Sequence, residues 1–181
     1  MSESFQQFDQ HLDTGWRTLR VKRDYAGAAE AILQYQSLHA AGLNEGQKGS
    51  LAFHLAGVYA LAGDKAKAIE WFQKSLDTGG SGNPAYIQGF IHFLQGDKTG
   101  LADARHTIAT TNPGPWREQD LKEMDAMLAY FGEPFEAAWG ALNCHDPGIK
   151  GSGPEWIAYC QADDAKYRKI YLEHGIKLTT R

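Results

Sequence analysis

At 181 residues the chain is long enough for one domain or one repeat array with a real core, and its net charge of −4 argues against a nucleic-acid binder held mainly by phosphate contacts. Hydrophobic residues make up 43%, yet no apolar run approaches the roughly 20 residues that span a bilayer. The opening stretch from Met1 to Asp13 lacks a basic segment followed by an apolar core, and two cysteines, Cys144 and Cys160, are too few to staple a fold of this size, so a reducing, cytoplasmic setting is expected.

Taken in chain order, the elements read as helices joined by turns. Arg23-Asp24-Tyr25 leads into a helical stripe that carries Ala28 and Ile32, and a polar insert from Gly42 to Gly49 follows. Residues 50–80 hold the clearest pattern. Leu51, Leu55, Val58 and Ala62 recur at helical spacing, then Ala68, Ile69, Phe72 and Leu76 do the same. Between them, Gly63 suits the left-handed end of one helix and Asp64 the cap of the next. Glu70 and Lys74 stand in the favourable i,i+4 order on the polar face.

The same junction returns at Gly96-Asp97-Lys98, 33 positions after Gly63, and in altered form at Gly132-Glu133-Pro134, 36 positions further on. Leu121, Met124, Leu128 and Phe131 form the stripe before that last turn, and Phe135, Ala138, Trp139 and Leu142 the stripe after it. Arg23-Asp24-Tyr25 is then the same junction without its glycine. All six prolines fall in connections or first turns, as a string of helices requires. Beyond residue 145 the pattern breaks into a turn-rich stretch that includes Pro147 and Gly151-Ser152-Gly153. An aromatic segment follows, in which Asp163 or Asp164 is expected to cap a helix ending near His174 and Gly175.

Residues 50–80 resemble a tetratricopeptide repeat, with Leu55, Ala56, Tyr59, Gly63, Ala68 and Phe72 on its signature positions. Gly89, Gly96, Ile108 and Pro113 fit the third unit, and the resemblance covers about residues 9 to 145. It implies an all-α fold: a TPR-like α-solenoid of about four helical hairpins. The array would span 1–145, with 146–181 as a C-terminal helical cap packed on it in a single structural domain.

The resemblance also implies a protein–protein interaction role, because the first helix of each pair lines a concave groove in that family. The inward positions are Arg17 and Arg20, then Phe53, Gly57 and Leu61, then Asn83, Tyr86, Phe90, Phe93 and Leu94, then Lys122, Ala126 and Tyr130. Phe53, Tyr86, Phe90, Phe93, Tyr130, Arg17, Arg20, Asn83 and Lys122 are therefore the expected partner-binding residues. Such a groove suits another protein or peptide, apolar with an acidic group, lying as a helix or an extended strand. Asp13, Arg17 and His54 stand where the members that hold chaperone C-termini carry Lys and Asn, which departs from that specific role.

Two alternatives stand open beside this reading. An aromatic at helical spacing is commonly core, so the groove is equally a place for the chain's own tail or for a second copy in a homo-oligomer. Cys144, His145, Cys160 and His174 form a four-ligand zinc set if the tail folds back, although their spacing follows no standard motif. No catalytic residue, cofactor or metal is expected: the seven histidines hold no HExxH and the glycines no GxGxxG or phosphate loop.

Overall fold

The computed structural model describes residues 4–11, 14–79, 82–111, 114–145 and 153–178. Expectations that fall on Asp13, Pro113, Pro147, Gly151 and Ser152 lie outside them. Every regular element among the described residues is helical, as the periodicity predicts. A π-helical turn, Gln6–Gln10, precedes α1 (Arg17–Val21), α2 (Tyr25–His39), α3 (Glu45–Leu61), α4 (Lys65–Asp77) and α5 (Pro84–Gln95). Then come α6 (Lys98–Thr111), α7 (Arg117–Ala129), α8 (Phe135–His145) and α9 (Pro154–Glu173). No helix among the described residues is long and apolar enough to cross a membrane.

The chain forms two compact units, Met1–Ile87 and Gln88–Arg181, and the division falls within α5. In the first unit α1 packs on α2, α2 on α3 and α3 on α4. Ala28 and Ile32 of α2 meet Leu51, Leu55 and Val58 of α3, with Phe8 and Trp16 in the same cluster. Phe8 stacks on Tyr35, their ring centres 4.0 Å apart. In the second unit α6, α7, α8 and α9 pack in succession. Leu101, Ile108, Met124 and Met127 are wholly enclosed there, and Arg105 of α6 grips Asp125 of α7 through two hydrogen bonds of 2.7 and 3.0 Å.

One turn design recurs. At Gly63 (φ +81°) the Asp64 N–H bonds the Tyr59 carbonyl at 2.9 Å, and at Gly96 (φ +77°) the Asp97 N–H bonds the His92 carbonyl at 2.9 Å. This six-to-one bond is the Schellman closure of a helix. Each aspartate then caps the following helix: Asp64 accepts from the Lys67 N–H at 3.1 Å and Asp97 from the Gly100 N–H at 2.9 Å. Those backbone bonds hold both carboxyls below the ordinary aspartate value. The first junction has the same geometry without the glycine. Arg23 adopts φ +60°, the Asp24 N–H bonds the Leu19 carbonyl at 3.0 Å, and Asp24 accepts from the Gly27 N–H at 2.9 Å.

The C-terminal segment departs from expectation. Its helix starts at Pro154, which suits a first helical position, and not at Asp163 or Asp164. Asp163 lies inside α9 and is turned inward, fully buried. The helix ends as expected, at His174 and Gly175 (φ +78°).

A left-handed conformation costs an L-residue roughly 1–2 kcal/mol relative to glycine, partly offset by the greater freedom of glycine in the unfolded chain. Arg23→Gly is therefore expected to raise stability by about 1 kcal/mol in urea unfolding followed by far-ultraviolet circular dichroism. A loss of stability would show that contacts of the arginine side chain outweigh the strain.

Candidate functional site

In the first unit one buried carboxylate organises a polar cluster. The π-helical turn, closed by the His11 N–H on the Gln6 carbonyl at 3.2 Å, directs the adjacent Phe8 and Asp9 inward together. Phe8 goes to the apolar core, and Asp9, 0% exposed, goes to a set of donors. The Trp16 indole N–H donates to Asp9 Oδ1 at 3.2 Å, His54 Nδ1 lies 2.8 Å from the same oxygen, and Gln10 donates to Oδ2 at 2.6 Å. Arg17 Nη1 donates to the Asp9 backbone carbonyl, and its guanidinium lies over the Trp16 ring, 4.3 Å from the centroid.

The hydrogen-bond pattern sets the His54 tautomer. Nδ1 carries the proton toward Asp9, leaving Nε2 to accept from Arg17 Nη2 at 3.4 Å. Burial pushes the His54 imidazole below its ordinary value, and the charges of Arg17 and Arg20 add to this against the pull of Asp9. Burial alone would raise the Asp9 carboxyl. The His54 hydrogen bond and the Arg17 charge outweigh it, and the carboxyl sits below the usual range. Burial brings Arg17 down to about 10, which leaves it a cation at neutral pH.

A strip of side chains leads out from this hub. The Arg20 guanidinium lies 5.6 Å from the Trp16 ring centre, Trp16 and His54 are 5.1 Å apart, His54 and Phe53 5.7 Å, and Phe53 and Tyr86 5.8 Å. Arg20, His54, Phe53 and Tyr86 are half-buried, while Trp16 and Arg17 are nearly enclosed. One turn along α3 from Phe53 comes Gly57, and a methyl group placed there meets nothing within 4 Å. Asn83 spends its side-chain oxygen on the Ala85 N–H at 3.0 Å, at the entry to α5. Four expected groove residues thus form a continuous set with His54, and Asn83 acts as a helix cap.

The second unit treats its expected residues differently. Phe90 and Phe93 are interior: Phe90 packs edge-on against Phe135 at 5.7 Å, and Phe93 meets Phe131 and Phe135 at 6.0 and 5.9 Å. Tyr130 is buried under the C-terminal helix, stacked on His174 at 4.2 Å with Tyr171 at 6.2 Å, and burial pushes its hydroxyl up to about 12. Lys122 is exposed on α7. Cys144 and Cys160, expected in a reducing setting, are joined in a disulfide. The bond also removes both sulfurs as thiolate ligands for a metal shared with His145 and His174, and His174 is engaged with Tyr130. No group of three or more ligating side chains gathers among the described residues.

No family model matches the chain, and no curated protein or solved structure matches it at significant similarity. The site therefore rests on its own geometry. Asp9 and Trp16 are the members that sequence reasoning missed: a five-residue π turn carries no periodic signal, and Trp16 stands just before the five-residue α1, which is too short for one.

The hub makes the first unit sensitive to acid in a defined direction. An unfolded histidine takes up its proton near pH 6.5, whereas folded His54 resists it, so stability present above pH 6.5 is lost as pH falls. Asp9, depressed in the folded state, adds a second loss that begins near its unfolded value of about 4. His54→Asn keeps a donor for Asp9 but cannot titrate. The urea midpoint of the variant should be flat between about pH 6.5 and 5, where that of the natural chain declines. Parallel curves would assign the decline to another group.

Proposed function

We propose that the chain is a protein-interaction module whose first unit receives a partner segment along the open face of α3. The partner is a peptide or helix with an apolar body and an acidic group. Its apolar part lies on Phe53 and Tyr86 and over Gly57, and its carboxylate faces Arg17 and Arg20. The tetratricopeptide-like solenoid, with the first helix of each pair turned toward the partner, belongs to this proposal.

One observation carries the reading. The strip from Arg20 through Trp16, His54 and Phe53 to Tyr86 is continuous, and it borders unfilled space at Gly57. Its charge suits an acidic partner. Arg17, Arg20, Lys22 and Arg23 put four cations within seven residues of an otherwise acidic chain, and the Asp9 carboxylate offsets one of them. Half-buried aromatics beside a desolvated arginine are the residue types that supply most of the binding energy in interfaces.

A structural role fits the second unit, because Phe90, Phe93 and Tyr130 are already committed to packing there.

Selection from a displayed peptide library should enrich sequences that pair aromatic or aliphatic residues with Asp or Glu. Gly57→Phe fills the open space and should weaken a selected peptide ~10-fold or more, with stability kept or raised because glycine is a poor helix former. Phe53→Ala and Arg20→Glu should each cost a similar factor in fluorescence anisotropy. Peptides without acidic enrichment, or with affinity indifferent to Gly57→Phe, would sink the proposal.

A further inference from the structure

Apart from the site above, the most unusual chemistry lies between α8 and α9. Glu136, 2% exposed, accepts from the Tyr167 hydroxyl at 2.5 Å and from Lys166 Nζ at 2.6 Å. Asp163 accepts from the Tyr171 hydroxyl, which also lies 3.2 Å from the Ala137 carbonyl and has one proton for the two. His145 Nε2 and Asp164 Oδ1 approach to 2.8 Å. The helices come this close because Gly140 has no side chain: a methyl group there would strike the Asp163 carboxylate and the Tyr171 hydroxyl.

The polar part of this contact is specific but returns little net adhesion. Desolvating two carboxylates offsets much of what their hydrogen bonds return. The face of α8 at this point is alanine and glycine, so the apolar burial comes from the tyrosines of α9. At the other end of the contact, Cys144, Tyr159, Cys160 and Trp156 form a small satellite cluster away from the main core. The disulfide inside it is the covalent tie between the helices, and it bridges a sequence separation of 16.

We propose that the Cys144–Cys160 pair is a thiol–disulfide exchange site whose reduction by a dithiol releases α9 from α8 and uncovers Tyr130, Ala137 and Gly140. One thiolate of the dithiol attacks a disulfide sulfur; the S–S bond breaks, and the departing cysteine sulfur takes a proton. The second dithiol sulfur then attacks the mixed disulfide and frees the other cysteine, which takes the second proton. Two electrons pass to the protein sulfurs, and the dithiol leaves as a disulfide. Both sulfurs are nearly inaccessible, Cys144 at 4% and Cys160 at 1% exposure, so the reagent meets them only when α9 opens locally. Reduction and release therefore reinforce each other: opening admits the dithiol, and the broken bond keeps the helix from reclosing.

The test uses the full chain, purified in air, with dithiothreitol as the dithiol and hydrogen exchange read by mass spectrometry. The oxidised protein should carry no reactive thiol, and exposure to the dithiol should add two hydrogens. Amides of α9 should then exchange faster by on the order of 100-fold, from the loop-closure constraint removed, while those of α3 and α4 stay unchanged. Cys144→Ser with Cys160→Ser should show the fast α9 exchange without dithiol and no further response to it. Two reactive thiols in the air-purified protein would overturn the proposal. So would α9 exchange that changes less than about twofold on reduction, or exchange that accelerates equally in α3 and α4.

Discussion

A helix that ends at Gly63 with φ +81° brings the Asp64 N–H onto the Tyr59 carbonyl, and the same aspartate then turns its side chain to the Lys67 N–H. One residue in the left-handed region thus satisfies a loose end of α3 and starts α4. Neither helix could bury its apolar face alone, because the stripe through Leu51, Leu55 and Val58 needs a neighbour within reach. The short turn supplies it. The bond recurs at Asp97 and Asp24, so the turns between three pairs of helices share this one local geometry. That it survives at Arg23, against the preference of an L-residue, shows how strongly the flanking helices impose it.

Within that frame each unit holds an aspartate of 0% exposure, Asp9 and Asp163, and the two are handled in different ways. Asp9 is surrounded by donors and by the Arg17 cation, and these outweigh the burial that would otherwise raise its carboxyl. The hub it forms ties the N-terminal turn to α1 and to α3, beside the apolar cluster that Phe8 and Trp16 share with Leu51 and Leu55. Asp163 is matched chiefly with the Tyr171 hydroxyl, whose own ionisation burial and the neighbouring carboxylate push far up. The tyrosine stays a proton donor under all ordinary conditions. The first arrangement joins charge to an exposed edge, whereas the second lies within α9, where the same tyrosine hydroxyl also reaches the Ala137 carbonyl of α8, and it is fully buried.

Much of this was legible in the sequence, for a physical reason. Periodic stripes such as Leu51, Leu55 and Val58 report burial directly, and Gly-Asp pairs report the turn, so helices and hairpins follow from local rules. The destination of a single side chain does not. Asp163 reads as a helix cap by residue type, yet Gly140, 23 positions earlier, leaves the space that draws it inward. Phe53 and Phe90 were both expected to line the groove, but Phe53 stays half-buried while Phe135 and its neighbours enclose Phe90. The disulfide was missed because a sequence separation of 16 says nothing about where two sulfurs meet.

The helical glycines carry the last step. Glycine in a helix interior costs about 1 kcal/mol relative to alanine, so each one calls for a compensating fit. At Gly140 the fit is internal, since a methyl group would collide with Asp163 and Tyr171. At Gly89 it is internal as well, where Met124 sulfur occupies the space of a side chain. Gly57 has no such neighbour: its missing side chain leaves room that nothing in the described chain fills. It lies on the face of α3 that carries Phe53, one turn from the aromatic and cationic strip. A cost without an internal return, located beside the aromatic and cationic strip, is the feature on which the proposed partner surface rests.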